Sequence, residues 1–159
     1  MSGYNFTIDE LCESAVARSR KINNEPSADV INNLWQLITS CLQPIRDRYG
    51  KPIIVSSGYR CAALNNAVGG AKTSQHTTGE AADIVGQNNS KDQLKKILNA
   101  ALSVADYDQL ILEAKGMQKW LHISHRANGP QRHEVLYYDG KSYVKCSVTE
   151  IMDKFDGLD

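Results

Sequence analysis

Two histidines and an aspartate are the residues whose types and spacing point most directly to chemistry. His76 and Asp83 belong to one short segment, Ser74–Asp83, and His122 follows in Trp120-Leu-His122-Ile-Ser124. A structural zinc site usually surrounds its metal with four protein groups, whereas a catalytic site uses three and leaves the fourth position to water. The sequence therefore predicts an open zinc site with one ion per chain, held by His76, Asp83 and His122.

The residues between His76 and Asp83 predict how the carboxylate is positioned. Gly79 permits a turn, and Ala81–Val85 has the small and β-branched residues that are typical of a strand. Side chains alternate along a strand, so Asp83 shares a face with the small Ala81, which leaves room for an ion. We therefore expect Asp83 to enter the site from a strand and His76 to enter it from a polar loop.

His122 lies in a second alternating segment, residues 119–125. The alternation places His122 and Trp120 on one face and His125 on the opposite face. We therefore expect His125 to be solvated or hydrogen-bonded rather than catalytic. Trp120 is expected to pack beside the ligand.

The spacing SxHxxGxAxD from Ser74 to Asp83, followed by WxHxS and preceded by Ser57-Gly-Tyr-Arg60, resembles the zinc D-Ala-D-Ala carboxypeptidase family. This family contains cell-wall peptidases and phage endolysins, and its fold is shared with the hedgehog signalling domain. The resemblance runs from about Pro52 to Ser124. It implies a hedgehog/DD-peptidase-like fold and a peptidoglycan stem peptide as the substrate.

The resemblance also implies roles for individual residues. The family's three zinc ligands fall on His76, Asp83 and His122. Its substrate-binding arginine falls on Arg60, whose planar guanidinium suits a substrate carboxylate or a developing oxyanion. Ser74 and Gln75 match positions that line the substrate groove.

One departure from the family concerns the catalytic acid–base. Many members carry Glu or Asp three residues before the last ligand, or His two residues before it. This chain has Lys119 and Trp120 at those places. Neither side chain can take a proton from water at neutral pH, so another residue must act.

Glu113 is the residue that we predict for this role. Residues 109–113 and 119–124 have the pattern of a hairpin. If its loop is Lys115–Gln118, Glu113 opposes Trp120 and shares a face with His122, at about 7–8 Å between backbone positions. A loop of five residues would turn Glu113 away, so the prediction depends on the register.

The remaining pattern predicts an α+β fold with an antiparallel sheet, helices mainly on one face and the metal site on the open face. Helices are expected at 7–20, 26–49 with a kink at Pro44, 62–68, 90–102 and 149–155. Strands are expected at 52–56, 81–85, 108–113, 119–124, 134–138 and 142–146, the last two joined by Asp139-Gly140. The length of 159 residues fits a single zinc peptidase domain, 1–159.

The composition indicates which binding partners and which cellular compartment to expect. The chain has 18 basic and 18 acidic residues without a basic cluster, so nucleic acid is not an expected partner. Residues 1–10 contain neither a basic nor an apolar run, and no segment is long and apolar enough to span a membrane. We expect synthesis in the cytoplasm, a monomer, and release to the cell wall by a phage-type lysis route. The cysteines, Cys12, Cys41, Cys61 and Cys146, are expected to be free thiols.

These observations predict a zinc metallopeptidase that hydrolyses peptidoglycan stem peptides. We favour an endolysin-type endopeptidase, of the kind that cuts L-Ala-D-Glu bonds. A D-Ala-D-Ala carboxypeptidase remains the other possibility within this class. The alternative is a catalytically silent, zinc-bearing module for cell-wall binding or phage morphogenesis. Lys119, at a position where the family has an acid, keeps that alternative open.

Overall fold

The computed structural model describes residues 3–158, which contain seven α-helices and six strands. The helices are α1 Ile8–Cys12, α2 Ala15–Arg20, α3 Ala28–Leu37, α4 Gln43–Tyr49, α5 Ala62–Ala67, α6 Lys91–Val104 and α7 Val148–Asp156. The strands are β1 Ile53–Ser57, β2 Ala81–Gly86, β3 Gln109–Lys115, β4 Gln118–Ser124, β5 Glu134–Tyr138 and β6 Tyr143–Lys145. A 3₁₀ turn at Gln75–Thr78 precedes β2.

The strands form one sheet in the order β1-β2-β4-β3-β5-β6. All neighbouring strands are antiparallel except β3 and β5, which are parallel. The predicted α+β fold with an antiparallel sheet is thus confirmed, apart from this pair. The parallel pair arises because β5 follows β4 in the chain but adds to the far side of β3, so it runs in the direction of β3.

One face of the sheet carries the hydrophobic core. Alternate residues of the strands are fully buried there, including Ile84, Leu112 and Leu121. They pack in one cluster with apolar side chains of the long helices, such as Leu34 of α3 and Ile97 of α6. Removing this apolar surface from water is the main favourable term for the fold. The opposite face is left open for the polar residues of the candidate site.

The first predicted helix, 7–20, is divided in the structure. Glu13 has extended backbone angles, and the hydroxyl of Ser14 accepts a hydrogen bond from the amide of Ala17. A serine whose side chain caps a new helix competes with continuation of the old one. The chain therefore forms α1 and α2 where the apolar spacing predicted a single helix.

The second predicted helix, 26–49, contains an irregularity ahead of Pro44. A π-helical turn at Ile38–Leu42 joins α3 to α4. Proline has no amide to donate to the carbonyl four residues earlier, which here belongs to Ser40. That carbonyl accepts a hydrogen bond from the amide of Asp106 instead. The predicted kink at Pro44 is thus a π-helical turn just before the proline, and the segment before β3 satisfies the carbonyl that the proline leaves without a donor.

The last predicted hairpin forms as β5 and β6 around Asp139-Gly140. The carboxylate of Asp139 accepts hydrogen bonds from the amides of Lys141 and Ser142, and Gly140 has a positive φ of 96°. Glycine adopts this conformation without the steric penalty of a side chain. Within residues 3–158, no helix is both long and apolar enough to cross a membrane.

Candidate active site

The register of the central hairpin places Glu113 on the open face. Glu113 pairs with Trp120 and Ile111 pairs with His122, as predicted. The loop is shorter than predicted, because Lys115 and Gln118 also pair. Since both loop ends move by one residue, the register is unchanged and Glu113 shares the face of His122.

His76, Asp83 and His122 are brought together on this face. Asp83 of β2 pairs directly with His122 of β4. Asp83 Oδ1 lies 3.1 Å from Nδ1 of His122 and 3.3 Å from Nε2 of His76. One ligand atom from each residue falls within 4.8 Å of the others, a spacing that a single metal ion can bridge.

The orientation of His76 is set by backbone groups. The hydroxyl of Ser74 accepts a hydrogen bond from the amide of His76 and caps the 3₁₀ turn. Nδ1 of His76 lies 2.7 Å from the carbonyl oxygen of Gly58 and donates to it. Gly58 must be glycine here, because a Cβ would collide with the carbonyl of Leu11. A ring whose Nδ1 is the donor carries its lone pair on Nε2.

The donor set fits a zinc ion. Nε2 of His76 is buried, with the residue 2% exposed, and makes no hydrogen bond to any described residue. A buried polar atom without a partner is costly unless something else binds it. Two imidazoles and one carboxylate match the ligands of catalytic zinc sites and leave a fourth position free. The three residues could therefore hold the metal.

Electrostatics favours the ligand forms that bind metal. Burial lowers the pKa of His76, which favours the neutral imidazole, although Asp83 opposes the shift. Burial alone would raise the pKa of Asp83, but His76 and His122 outweigh it and hold that pKa well below its usual range. A neutral imidazole and an ionised carboxylate are the protonation states required of ligands.

Glu113 lines the same cavity as the three candidate ligands, and the cavity volume is about 570 Å³. Burial and the charge of Asp83 raise the pKa of its carboxyl group. The indole N–H of Trp120 lies close enough to Glu113 to lower that pKa in part, although the two groups do not form a well-aligned hydrogen bond. A partly buried carboxylate with a raised pKa beside candidate metal ligands is suited to proton transfer.

Arg60 is held beside Asp83. Its Nε donates to Ser57 Oγ at 3.1 Å, its Nη1 donates to Asn65 Oδ1 at 3.1 Å, and its Nη2 lies 3.9 Å from Asp83 Oδ2. Burial lowers the pKa of Arg60, while Asp83 and Glu113 oppose the shift. Because a Cβ on Gly70 would meet both Asn65 and Arg60, the glycine permits this close packing. The guanidinium is thus fixed with Nη2 directed at the centre.

Ser74 and Gln75 also line the cavity, in agreement with the predicted groove. The Ser74 hydroxyl is occupied in capping the turn of His76. The Gln75 amide donates to Asp108 Oδ2 at 3.1 Å. Both residues therefore support the position of His76, and a contact with substrate stays a prediction.

Three residues near the cavity have no counterpart in the predicted site. Asp108 is fully buried and binds Arg132 through Nε and Nη2, with the closest contact at 2.7 Å. Arg132 and Tyr143 line the cavity. Tyr143 stacks on Tyr138 with ring centroids 4.3 Å apart. The only available sequence signal was the Asp139-Gly140 hairpin, which places Tyr143 opposite Tyr138.

His125 lies away from the candidate centre. Its Nδ1 is 2.7 Å from the carbonyl oxygen of Asp106, and the residue is 8% exposed. The predicted hydrogen-bonded state is what the structure shows. The cysteines among the described residues are all free, and Cys61 Sγ accepts a hydrogen bond from the amide of Leu64 at the start of α5.

Comparison with known proteins agrees with this geometry. Residues 4–124 match the Peptidase M15 family, a range that includes the three candidate ligands, Arg60 and Glu113 but not Arg132 or Tyr143. A stretch of 83 residues, 50% of this chain, is 36% identical to the zinc D-Ala-D-Ala carboxypeptidase of Streptomyces albus G. The chain matches 31% of that relative's length. The suspected family and its hedgehog/DD-peptidase fold are thereby confirmed: with its two histidines and aspartate converging on one sheet face, the chain belongs to the Peptidase M15 family.

Proposed function

We propose that this chain is a zinc-dependent peptidase that hydrolyses stem peptides of peptidoglycan. The observation that carries the proposal is the convergence of three candidate ligand atoms and a partly buried carboxylate in one cavity. Membership of a metallopeptidase family supports the reaction class. Similarity to the zinc D-Ala-D-Ala carboxypeptidase of Streptomyces albus G supports a D-alanyl stem peptide as the substrate class.

Each proposed metal ligand offers one atom to the site. His76 would contribute Nε2, Asp83 would contribute Oδ1 and His122 would contribute Nδ1. When bound, zinc supplies a Lewis acid that acidifies water and polarises the scissile carbonyl. The carbonyl of Gly58 keeps the His76 ring in the tautomer that this role requires.

Glu113 is the proposed acid–base. Its ionised carboxylate takes a proton from the attacking water and returns it to the nitrogen of the leaving amine. Burial and the charge of Asp83 raise its pKa, which makes it a better proton acceptor than an exposed glutamate. Glu113 thus fills the role that Lys119 and Trp120 cannot take.

Arg60 is proposed to bind substrate oxygen. Two of its nitrogens are engaged by Ser57 and Asn65, whereas Nη2 is not within hydrogen-bond distance of Asp83. Nη2 therefore has donors available for a carbonyl oxygen or for the oxyanion that develops from it. The distance of 3.9 Å between Nη2 and Asp83 Oδ2 supports this role.

Digestion of purified peptidoglycan by the zinc-loaded protein tests the proposal. Mass spectrometry of the products is expected to show shortened stem peptides, with His76→Ala as a variant that loses both metal and activity. Freed D-Ala would identify a carboxypeptidase, and separated stem peptides or glycan strands would identify an endopeptidase. Zinc-loaded protein that binds the wall without cutting it would favour the silent-module alternative. The phage-type route of release to the wall stays a prediction.

A further inference from the structure

A second hollow adjoins the cavity of the candidate active site. It has a volume of about 370 Å³ and lies between α2, the end of β1 and α5. Ala15 and Val16 form one of its walls, and Leu64 lies on another. Arg60 and Asp83 line both spaces, so the two join at the candidate metal centre.

The floor of this joined groove crosses five strands. One residue from each strand lies in register, and these residues are Ser57, Asp83, His122, Ile111 and Leu136. At about 4.8 Å between neighbouring strands, the row spans roughly 19 Å. An extended peptide advances about 3.3 Å per residue, so about six residues can lie along the floor.

The candidate centre does not lie at an end of this row. Asp83 and His122 occupy its second and third positions. Ile111 and Leu136 continue the floor on one side with apolar side chains. On the other side, Ser57 leads into the second hollow. A bond held at the centre would therefore have peptide-sized space on both sides.

The second hollow lacks the chemistry that would recognise a free chain end. Among its described lining residues, Arg60 is the only cation, and the proposed function assigns its one free nitrogen, Nη2, to the oxygen of the cleaved carbonyl. Glu13, the acidic lining residue beyond the centre, is paired with Arg18. A terminal carboxylate is normally held by a positioned cation, and a terminal amine by a positioned acid.

The far end of the first cavity is also poorly suited to hold a terminus. Arg132 lies there, but its guanidinium is bound by Asp108 and by Glu134. Lys145 in turn pairs with Glu134, so these four side chains balance their charges. Neither end of the groove therefore presents an uncompensated charge.

We propose that the groove binds an extended peptide on both sides of the cleaved bond, so that the chain cuts internal bonds and not terminal residues. This inference rests on the proposed peptidase function and narrows its substrate to a peptide that continues past the centre in both directions. Affinity comes from the apolar side chains on the two sides of the centre, Ile111 and Leu136 on one side and Val16 and Leu64 on the other, rather than from capture of an end group.

Three synthetic stem peptides test the inference, all sharing the bond identified by product analysis. The long peptide has three residues on each side and blocked termini, and each short peptide is trimmed to one residue on one side, with a free terminus there. We expect kcat/KM of the zinc-loaded protein to fall at least about tenfold with either trimming. A peptide trimmed to one C-terminal residue that reacts as well as the long one would overturn the proposal.

Val16→Trp, which fills the second hollow, gives an independent measurement. Two ratios are compared, namely kcat/KM of the long peptide divided by that of each short peptide. Val16→Trp should bring one of these ratios close to one. The control Ser19→Trp, on the exposed side of α2, should leave both ratios at their wild-type values. Unchanged ratios in Val16→Trp would contradict the groove. Failure to hydrolyse any of the three peptides would refute the proposed function instead. Calorimetry would then test whether the groove binds peptide on both sides of the centre. The long peptide should bind most tightly, and equal affinity for all three peptides would contradict the groove.

Discussion

Replacing Glu113 by Gln removes a proton acceptor without changing the shape of the side chain. Glu113 is not among the three groups that converge on the candidate metal position, so zinc should stay bound. Burial disfavours its charge, as the raised pKa shows, so the neutral amide should not lower the free energy of unfolding. The substitution therefore separates proton transfer from metal binding and from folding.

The expected loss of rate follows from the proposed role. Removal of a positioned general acid–base typically lowers turnover by about 10² to 10⁴. At about 1.36 kcal/mol for each factor of ten, this corresponds to roughly 2.7–5.4 kcal/mol of activation free energy. The raised pKa of Glu113 argues for a substantial loss, because water would replace a carboxylate that is more basic than usual.

The assay measures three quantities on one preparation: zinc per chain, the thermal unfolding midpoint, and the rate at which peptides are released from purified peptidoglycan. Glu25→Gln makes the same chemical change at an exposed position and serves as the matched control. Zinc content and stability should equal those of the wild type while the rate falls. A wild-type rate in Glu113→Gln would refute the proposed role, and a loss of zinc would show that Glu113 helps to hold the metal.

Substitutions at three further positions test the surroundings of the site. Arg60→Ala should lower kcat/KM with zinc retained, and Arg60→Lys should restore little, because an ammonium cannot reproduce the fixed guanidinium; unchanged rates would exclude the role. Gly70→Ala should displace Arg60 and lower the rate at unchanged zinc content, and a wild-type rate would show that Arg60 tolerates the shift. Asp108→Asn should lower the free energy of unfolding by about 1.5–3 kcal/mol at pH 7, measured by urea unfolding. Burial raises the pKa of Asp108, but hydrogen bonds from Arg132 and Gln75 outweigh burial and lower the pKa. The ionised Asp108 therefore stabilises the fold at pH values above its pKa in the unfolded chain, and this stabilisation is lost as the pH falls through its lower pKa in the folded chain. The variant should therefore lose less stability in acid than the wild type, and parallel pH profiles would contradict this.

The candidate ligands could be predicted because local patterns fix where their side chains point. Strand alternation grouped Asp83 with Ala81 on its strand and His122 with Trp120 on another, and the hairpin pattern placed Glu113 on the face of His122. Both inferences needed only the spacing of residues within short segments. The structure places these three side chains on the same face of the sheet.

The other side of the cavity could not be predicted in the same way. Arg132 lies in an irregular segment between β4 and β5, where no periodicity indicates the direction of a side chain. Its position depends on the crossing of β5 to the far side of β3 and on the buried carboxylate of Asp108. Tyr143 reaches the cavity through the same crossing. Such long-range placement is a property of topology and not of local sequence.

The contact between Gly58 and Leu11 connects the N-terminal helices to the candidate metal site, although they contain none of the proposed ligands. The carbonyl of Leu11 accepts a hydrogen bond from the amide of Tyr59, and Asn24 binds the carbonyls of Cys12 and Tyr59. Docking of α1 therefore stabilises the position of the Gly58 carbonyl, which orients His76. If the metal binds more tightly when α1 is docked against Gly58, then metal binding must in turn stabilise the docked position of α1. Zinc should accordingly protect this segment from proteases, and shortened variants that lack it should bind the ion weakly.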